Sequence, residues 1–426
     1  MRQPKDRQTR DQRIERRISA ASSIAMCVLT VLIQIVVTLL LTHFLEEYVS
    51  IAYAMLELLG IGMAIFVFLR SGSPSYKLSW MCLLLVLPVS GMLLFFLWGG
   101  VHQAKTLSLK RVPPPPEREG VRRQSETNVA RLTRKDSAMG RVAAYLQKRD
   151  FLLYKNTAAK YFGDGAAFFD DLIDRIQKAE TYIFLEYFII AEGRVWDRIF
   201  AALKERAAAG VEIHIIFDDF GNLTRFSDHT IQRIQDAGIE VKVFNPVHRY
   251  VNRIYFNYRD HRKIAVIDGY CAYTGGINLA DEYANLFERF GRWKDSAVRI
   301  EGDGAWGFAS QFIQMWEMMG GTLPNEDDYY RPRHDGPDAP GFIHTKSVLV
   351  DRKMALIGST NMDYRTFQLH FECAAMLYDT PVVEELLEDL DAVMAESTLY
   401  TIEDWSARPW YRRAAATFLK LGAIWL

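Results

Sequence analysis

The sequence carries one set of polar and glycine residues twice, at identical spacing. The first copy consists of His261, Lys263, Asp268, Gly275 and Asn278, and the second of His344, Lys346, Asp351, Gly358 and Asn361. Two unrelated surface strands have no reason to agree at five such positions, so the agreement indicates an internal repeat. Imidazole, ammonium and carboxamide groups together can attack, protonate and neutralise a phosphate group. The repeat therefore predicts phosphodiester chemistry.

The spacing within each copy predicts a β-hairpin. Because strand residues two apart share a face, the His and the Lys of each copy project together. In the first copy, Asp268-Gly269 is a strong signal for a two-residue turn. Such a turn sets Tyr270 opposite Ile267, and continued pairing sets Gly276 opposite His261.

Asn278 then lies just beyond the histidine, on the neighbouring strand. Glycines there leave bare backbone that a ligand can approach closely. A metal site is the weaker alternative, because a protonated lysine is a poor ligand and neither copy offers a second His or a Cys at ligand spacing. The sequence therefore predicts a phosphate-sized site with no metal and no cofactor.

These residues resemble the signature of the phospholipase D superfamily, His-x-Lys-x4-Asp followed by Gly-Ser-x-Asn. More narrowly, the chain is similar to the bacterial cardiolipin synthases in four stretches, residues 257–263, 293–295, 299–303 and 361–372. The resemblance extends from about Tyr154 to the C-terminus, and the apolar segments before it fit as well.

The resemblance implies an α/β fold, a phospholipase D-like, mostly parallel sheet flanked by helices and preceded by N-terminal transmembrane helices. Strands alternating with helices between residues 182 and 244 favour the same sheet. The two copies are expected to meet across a pseudo-twofold axis. The implied catalytic residues are His261, Lys263, Asp268, His344, Lys346 and Asp351, and the implied phosphate-binding residues are Asn278, Asn361, Ser359 and Gly276.

The implied reaction joins two phosphatidylglycerol molecules into cardiolipin and releases glycerol. One histidine forms a phosphohistidine and the other carries the proton. The resemblance assigns His261 as the nucleophile and His344 as the acid and base, although the symmetry of the repeat also permits the reverse. Asp268 and Asp351 are expected to fix the turns rather than to react. The expected partners are phosphatidylglycerol, other anionic phospholipids and the membrane.

Three other functions are compatible with these motifs. A phospholipase D hydrolase uses the same residues with water as the acceptor. A nuclease is disfavoured, because the net charge is only -1 and no basic, aromatic face for nucleic acid is evident. The third is a catalytically impaired family member, because the second half of the repeat is short.

The chain divides into five predicted regions. They are a basic tail over 1–19, a transmembrane region over 20–100, a Pro/Arg-rich linker over 101–145, the first phospholipase D-like half over 146–300 and a shortened second half over 301–426. The transmembrane region holds about three spans, Ala20–Phe44, Ile51–Leu69 and Leu78–Gly99, with Pro88 expected to kink the third. We therefore expect a multi-pass protein of the bacterial cytoplasmic membrane. The basic residues flanking these spans support either orientation.

The scaffold before the second histidine departs from the family. Only one helix-like segment, Ala305–Met319, and a polar loop precede His344, where family members carry a second strand–helix–strand–helix unit. Three arrangements remain open: the second hairpin pairs in place, a second copy of the chain completes the sheet as a homo-oligomer, or activity is weak.

Two further features allow two interpretations each. Glu186 and Asp218 lie within or at the ends of predicted strands, where they serve the site or act as buried partners. The aromatic cluster Trp405–Tyr411 suits a membrane interface or packing on the domain.

Overall fold

The computed structural model describes residues 32–40, 42–43, 48–70, 74–98, 119–149, 151–222, 225–246, 259–287, 293–323, 341–343, 347–361, 370–397, 399 and 401–421. They form two compact units. The first draws on Met1–Leu109, Pro246–Asn257 and Thr398–Leu426, and the second on Lys110–Asn245 and Tyr258–Ser397. The predicted basic tail lies outside the described residues.

The elements follow one another along the chain. The helices are α1 Val49–Leu69, α2 Pro74–Val86, α3 Pro88–Trp98, α4 Glu119–Lys135, α5 Ser137–Gln147, α6 Gly165–Gln177, α7 Arg194–Ala208, α8 Asp219–Asn222, α9 Asp228–Asp236, α10 Ala305–Met318, α11 Pro381–Glu396, α12 Ile402–Ser406 and α13 Trp410–Leu421. The strands are β1 Thr157–Phe162, β2 Tyr182–Tyr187, β3 Glu212–Asp218, β4 Glu240–Phe244, β5 Arg259–Asp260, β6 Lys263–Ile267, β7 Cys271–Gly275, β8 Ala297–Gly302, β9 Gly341–Ile343, β10 Val348–Val350, β11 Met354–Gly358, β12 His370–Phe371 and β13 Ala374–Tyr378.

Helix α1 of the first unit is long and apolar enough to cross a bilayer. Its stretch Ser50–Leu69 contains 20 residues, about the number that a transmembrane helix needs. Among the described residues it alone meets this length and composition. Of the first predicted span, Ala20–Phe44, only residues 32–40 and 42–43 are described, and these are helical.

The third predicted span, Leu78–Gly99, forms two helices instead of one. Helix α2 ends before the break, and α3 begins at Pro88, whose ring removes a backbone donor. The rings of Trp80 and Phe95 are in edge contact, with centroids 5.2 Å apart. One straight helix would separate these residues by about 22 Å along its axis. The chain therefore folds back on itself at Pro88, and three spans are not confirmed.

The second unit is built on a seven-stranded sheet in the order β1-β8-β7-β6-β2-β3-β4. Only the pairs β2–β3 and β3–β4 are parallel, because helices carry the chain between those strands. The other four pairs are antiparallel. The predicted α/β fold with a helix-flanked sheet is confirmed. The expectation of mostly parallel strands is wrong, since β6 and β7 form a hairpin and β8 follows without a crossover helix.

Both faces of this sheet are covered. One face packs against α6, α7 and α9, with Phe168, Trp196 and Ile234 in the shared core. The other packs against α10 and a second, four-stranded sheet in the order β10-β11-β13-β9. There Phe184 stacks on Phe312 with ring centroids 4.3 Å apart. The two halves of the repeat thus share one hydrophobic core.

The two copies of the repeat form hairpins of identical register. Three residues make each turn, Asp268–Tyr270 between β6 and β7 and Asp351–Lys353 between β10 and β11. The leading aspartates adopt the same left-handed backbone, with φ of 50° and 51°. Asp and Asn tolerate this conformation better than most residues. The internal repeat therefore extends to backbone geometry.

The predicted two-residue turn is wrong by one residue. Ile267 pairs with Cys271 instead of Tyr270. Two consecutive residues with positive φ open each turn, Asp268 and Gly269 in the first copy and Asp351 and Arg352 in the second. A third residue completes the turn in both copies. The pairing that would have set Gly276 opposite the histidine shifts accordingly.

Most of the predicted linker is folded. Residues 119–147 form α4 and α5, joined at Asp136, whose side chain caps α5 by accepting from the backbone N–H groups of Ala138 and Met139. Val129 and Leu132 of α4 pack against Met376 and Tyr378 on the second sheet. The linker prediction is therefore wrong for this segment, because its few apolar residues lie on one face of each helix.

The second hairpin lacks a neighbour that the first one has. Strand β6 lies between β7 and β2, whereas β10 pairs with β11 alone among the described strands. The turn aspartates differ for the same reason. Asp268 accepts hydrogen bonds at 2.6–3.0 Å from residues at the start of β2, whereas Asp351 is exposed. Among the described strands, β10 therefore has no counterpart of β2 at its side.

This difference predicts unequal effects of one substitution at the two turns. Asp268→Asn removes a charged acceptor of four hydrogen bonds and should lower the free energy of unfolding by about 1–3 kcal/mol. Asp351→Asn keeps the same backbone tolerance and should stay within about 0.5 kcal/mol of the parent. Denaturant titrations of the detergent-solubilised chain, followed by circular dichroism, measure both. Equal losses would contradict the asymmetry.

Candidate active site

The ring of His261 is held by a carboxylate from the other half of the repeat. Strand β5 lies parallel to β12, and the backbone N–H of His261 donates to the carbonyl of Phe371 at 2.9 Å. This pairing brings Glu372 to the ring, with its two carboxylate oxygens 3.1 and 3.2 Å from Nδ1. A carboxylate accepts but cannot donate, so Nδ1 carries the proton and Nε2 keeps its lone pair. This is the tautomer that a nucleophilic imidazole needs.

Ser359 positions that carboxylate. Its hydroxyl donates to Oε2 of Glu372 at 2.6 Å and accepts from the backbone N–H of Cys373 at 3.0 Å. The carbonyl of Ser359 also lies 3.2 Å from Nδ1 of His261. The side chain predicted to bind phosphate is thus occupied in orienting the histidine's partner.

Lys263 lies beside the histidine and is almost completely buried, with 2% of its surface exposed. Its ammonium donates to the carbonyl of His261 and lies 5.4 Å from the ring centroid of Phe188. The same ring meets the imidazole edge-on at 4.9 Å. His261 and Lys263 therefore lie on one side of the strand, as predicted, and both contact the ring of Phe188.

Burial and the nearby Lys263 ammonium lower the pKa of His261 to about 4, despite the opposing carboxylate. Burial acts to raise the pKa of Glu372, but the hydrogen bonds from His261 and the positive charge nearby outweigh it and lower the pKa to about 2. Near neutral pH the pair is accordingly a neutral imidazole and a charged carboxylate.

The strand before the histidine is fixed by Asp218 at the end of β3. One carboxylate oxygen accepts from Nη1 of Arg259 at 3.0 Å, and the other accepts from the backbone N–H of Asp260 at 2.9 Å. Burial raises the pKa of Asp218 to about 6, although Arg259 opposes the shift. Asp218 is thus a buried partner that positions the backbone next to His261.

A second buried group of charges lies on the opposite face of the same strand. Arg262 pairs with Glu186 on β2 and, through Nε, with Asp260 at 3.1 Å. Burial raises the pKa of Glu186, and Arg262 opposes it. Of the two interpretations left open for Glu186 and Asp218, the structure supports that of buried partners.

The predicted phosphate ligands of the first copy are engaged by the protein. Oδ1 of Asn278 accepts from the backbone N–H of Ile189 at 3.0 Å, and Nδ2 donates to the hydroxyl of Tyr283 at 2.7 Å. At Gly276 an added Cβ would lie 2.0 Å from Oδ1 of Asp295. That glycine therefore makes room for a carboxylate of the protein on this side.

Asp295 stands in the first half where Glu372 stands in the second. It precedes Ala297, the partner of Gly275, by two residues, as Glu372 precedes the residue paired with Gly358. The repeat relates Gly276 to Ser359, and each adjoins the acid of its own half. Asp295 is therefore the counterpart of Glu372 in the first half.

The remaining predicted site residues are not gathered around His261 in the described part of the chain. Asp268 and Asp351 begin the turns, at the far ends of β6 and β10 from the histidine side. Asn361 is half-buried, and His344 and Lys346 lie outside the described residues. The structure therefore brings together His261, Lys263 and Ser359.

Sequence analysis did not select Glu372, although it lies in one of the stretches that carry the family resemblance. Its partner is 111 residues away. Only the duplicated hairpin, folded across the repeat, could have indicated that pairing.

Comparison with known proteins supports the family resemblance that the motifs indicate. The family model described as "Cardiolipin synthase, PLD-like domain" matches residues 172–316 and 327–394. The model described as "Phospholipase_D-nuclease N-terminal" matches residues 58–100.

Several curated relatives align with most of the chain. An uncharacterised protein of Streptococcus mutans is 32% identical over 61% of this chain and 77% of its own length. A cardiolipin synthase of Oceanobacillus iheyensis is 26% identical over 83% of this chain and 94% of its length. The major cardiolipin synthase ClsA of Bacillus subtilis is 24% identical over 85% and 96%.

Solved structures give distant matches. A phospholipase D family member from Salmonella typhimurium is 20% identical, with a TM-score of 0.30, and the match covers 39% of this chain and 96% of that one. A phosphatidylserine synthase from Haemophilus influenzae is 11% identical, with a TM-score of 0.39, over 55% and 84%.

The hydrogen bonds of Ser359 predict a stability effect. Ser359→Ala leaves the backbone N–H of Cys373 without the hydroxyl as acceptor and removes one of the donors to Glu372, so the free energy of unfolding should fall by about 1–3 kcal/mol. Ser310→Ala, which removes only a bond to the Gly307 carbonyl within α10, should change it by less than about 0.5 kcal/mol. Denaturant titration compares the two, and a negligible loss for Ser359→Ala would contradict the assigned role.

Proposed function

Because this chain belongs to the cardiolipin synthase family of phospholipase D-like enzymes, we propose that it is a membrane-bound phosphatidyltransferase. It joins two phosphatidylglycerol molecules into cardiolipin and releases glycerol. The observation that carries the proposal is His261, whose Nδ1 faces Glu372 and whose Nε2 is thereby left as the nucleophilic nitrogen. Other anionic phospholipids are expected as further partners.

The first step transfers the phosphatidyl group to the protein. Nε2 of His261 forms a bond to phosphorus while the bond from phosphorus to the glycerol oxygen breaks. His344, assigned from the repeat, gives its proton to that oxygen. The carboxylate of Glu372 stabilises the positive charge that the imidazole gains.

The second step releases the product. A hydroxyl of the second phosphatidylglycerol gives its proton to His344 and attacks phosphorus, and the bond between nitrogen and phosphorus breaks. Both histidines return to their starting states, so cardiolipin and glycerol balance the two substrates. From the repeat, we assign Asp295 the role toward His344 that Glu372 has toward His261.

Positively charged groups are needed to stabilise the negative charge on the phosphate oxygens. The buried ammonium of Lys263 supplies positive charge beside His261, and we assign the same role to Lys346, with Asn361 as a donor. Asn278, Ser359 and Gly276 already serve other contacts within the protein, so we assign them a structural role. Such fixed charges act on the transition state in a dry site.

Attachment to the membrane completes the proposal. We infer a multi-pass protein of the bacterial cell membrane, in which α1 spans the bilayer and the helices that fold back at Pro88 insert beside it. The exposed rings of Trp410 and Tyr411 suit the interface between lipid and water. The phosphatidylglycerol substrate is then taken from the surrounding lipid.

The direct test is lipid analysis in a bacterial host that cannot make cardiolipin. The full chain should produce cardiolipin, and the purified enzyme should release one glycerol for each cardiolipin formed. Lys263→Ala should lower the rate by at least about 100-fold, while His229→Asn, at an exposed position on α9, should not change it. Phosphatidic acid without cardiolipin would identify a hydrolase instead. Neither product, with no trapped phosphohistidine, would indicate the impaired alternative and overturn the proposal.

The role of Glu372 gives a second prediction. Glu372→Gln keeps the size of the side chain but no longer fixes the His261 tautomer or its charge, so kcat should fall by about 10²–10⁴-fold with little change in KM. Glu388→Gln, an exposed acid on α11, is the matched control. Initial rates with phosphatidylglycerol in detergent micelles measure both. A rate within a factor of two of the parent would show that Glu372 does not act through His261.

A further inference from the structure

A third possible ligand completes a compact cluster around Glu372. His261, His370 and Glu372 each offer a ligand atom, and these atoms lie within 4.8 Å of one another. Oε1 of Glu372 is 3.1 Å from Nδ1 of His261 and 3.5 Å from Nδ1 of His370. The two imidazole rings are 5.5 Å apart between centroids. The parallel pairing of β5 with β12 creates this arrangement.

The donor set suits a particular class of metal ion. Two imidazoles and one carboxylate are typical ligands of Zn²⁺ and of neighbouring divalent transition metals, whereas Ca²⁺ and Mg²⁺ prefer oxygen ligands alone. Tetrahedral ligands about 2.0 Å from zinc lie about 3.3 Å from each other. Two of the separations here are already close to that value. Small rotations of the imidazoles would bring the third separation, between the ligand nitrogens of His261 and His370, close to the same value.

His370 has no other polar task in the part of the chain that the structure describes. Its side chain is 11% exposed, yet neither ring nitrogen has a hydrogen-bond partner there. A buried imidazole without a partner costs free energy. A bound metal would satisfy one of its nitrogens, and the charge of Glu372 would offset the repulsion from Lys263.

We propose that a divalent transition metal ion binds His261 through Nδ1 together with His370 and Glu372, and that this binding inhibits the enzyme. The metal requires the lone pair of Nδ1, so the proton of the neutral ring moves to Nε2. The nitrogen that would attack phosphorus then has no lone pair. Binding also withdraws Glu372 from its hydrogen bond with His261. The inhibition rests on the proposed phosphatidyl transfer, whereas the metal site does not.

The test begins with direct binding, using the full chain in detergent after dialysis against EDTA. Titration with CoCl2 should give one ion per chain and the visible absorption of a low-coordinate nitrogen and oxygen site. His370→Asn and His370→Gln should weaken this binding by more than about 100-fold, with circular dichroism confirming that they fold. His229→Asn should bind like the parent.

Activity supplies the second readout. ZnCl2 should inhibit cardiolipin formation by the parent over the concentrations at which it displaces Co²⁺, and EDTA should restore the rate. Each His370 variant, compared with its own metal-free rate, should require at least about 100-fold more Zn²⁺. A folded His370 variant that binds Co²⁺ as tightly as the parent, or a parent that binds none, would overturn the site. A parent that binds Co²⁺ through His370 but makes no cardiolipin in metal-free buffer would leave the site standing and contradict the proposed function instead.

Discussion

The site depends on one hydrogen bond that crosses the repeat, from Nδ1 of His261 to Glu372. The imidazole comes from the first half and the carboxylate from the second, so neither half alone can set the tautomer. The shared hydrophobic core, to which α10 and both sheets contribute, keeps the two backbones in register. Ser359 then restricts the carboxylate to the orientation that meets the ring. The packing of many residues thereby determines that Nδ1 of His261 carries the ring proton.

The second sheet is stabilised by a segment from elsewhere in the chain. In the first half, helices cover one face of the seven-stranded sheet, and α10 and the second sheet cover the other. The second sheet packs on one face against β7, β8 and α11, and its other face packs against α4 and α5, which precede both halves of the repeat. The ion pair of Lys135 with Asp379 and the bond of Tyr378 to Asp136 connect the same surfaces. Apolar residues on that face, Met376 and Tyr378 among them, are thereby buried.

The sequence could predict the repeat, the hairpins and the family, because each depends on residues close together along the chain. It could not predict the direction of most strand pairs, since the apolar pattern of a buried strand does not record its neighbour's direction. The three-residue turn was missed because an Asp-Gly pair is also typical of a two-residue turn. The helices α4 and α5 were taken for a linker because their polar faces dominate the composition, and the contact of Glu372 with His261 arises only after folding. Apart from the turn, the predictions failed where a distant partner decided the outcome.

The buried charges around His261 explain why the two copies differ next to their histidines. Arg259 pairs with Asp218 on β3 and Arg262 pairs with Glu186 on β2, so both cations depend on partners from these strands, while Asp260 pairs with Arg262. At the equivalent places the second copy carries Phe342, Ile343 and Thr345, all of them uncharged. A buried charge without its partner costs several kcal/mol, and the described part of the second half contains no strand corresponding to β2. The second copy keeps its histidine and lysine but has uncharged residues at the three neighbouring positions. Such residues need no buried partners, which agrees with the absence of a counterpart of β2 from the described residues of the second half.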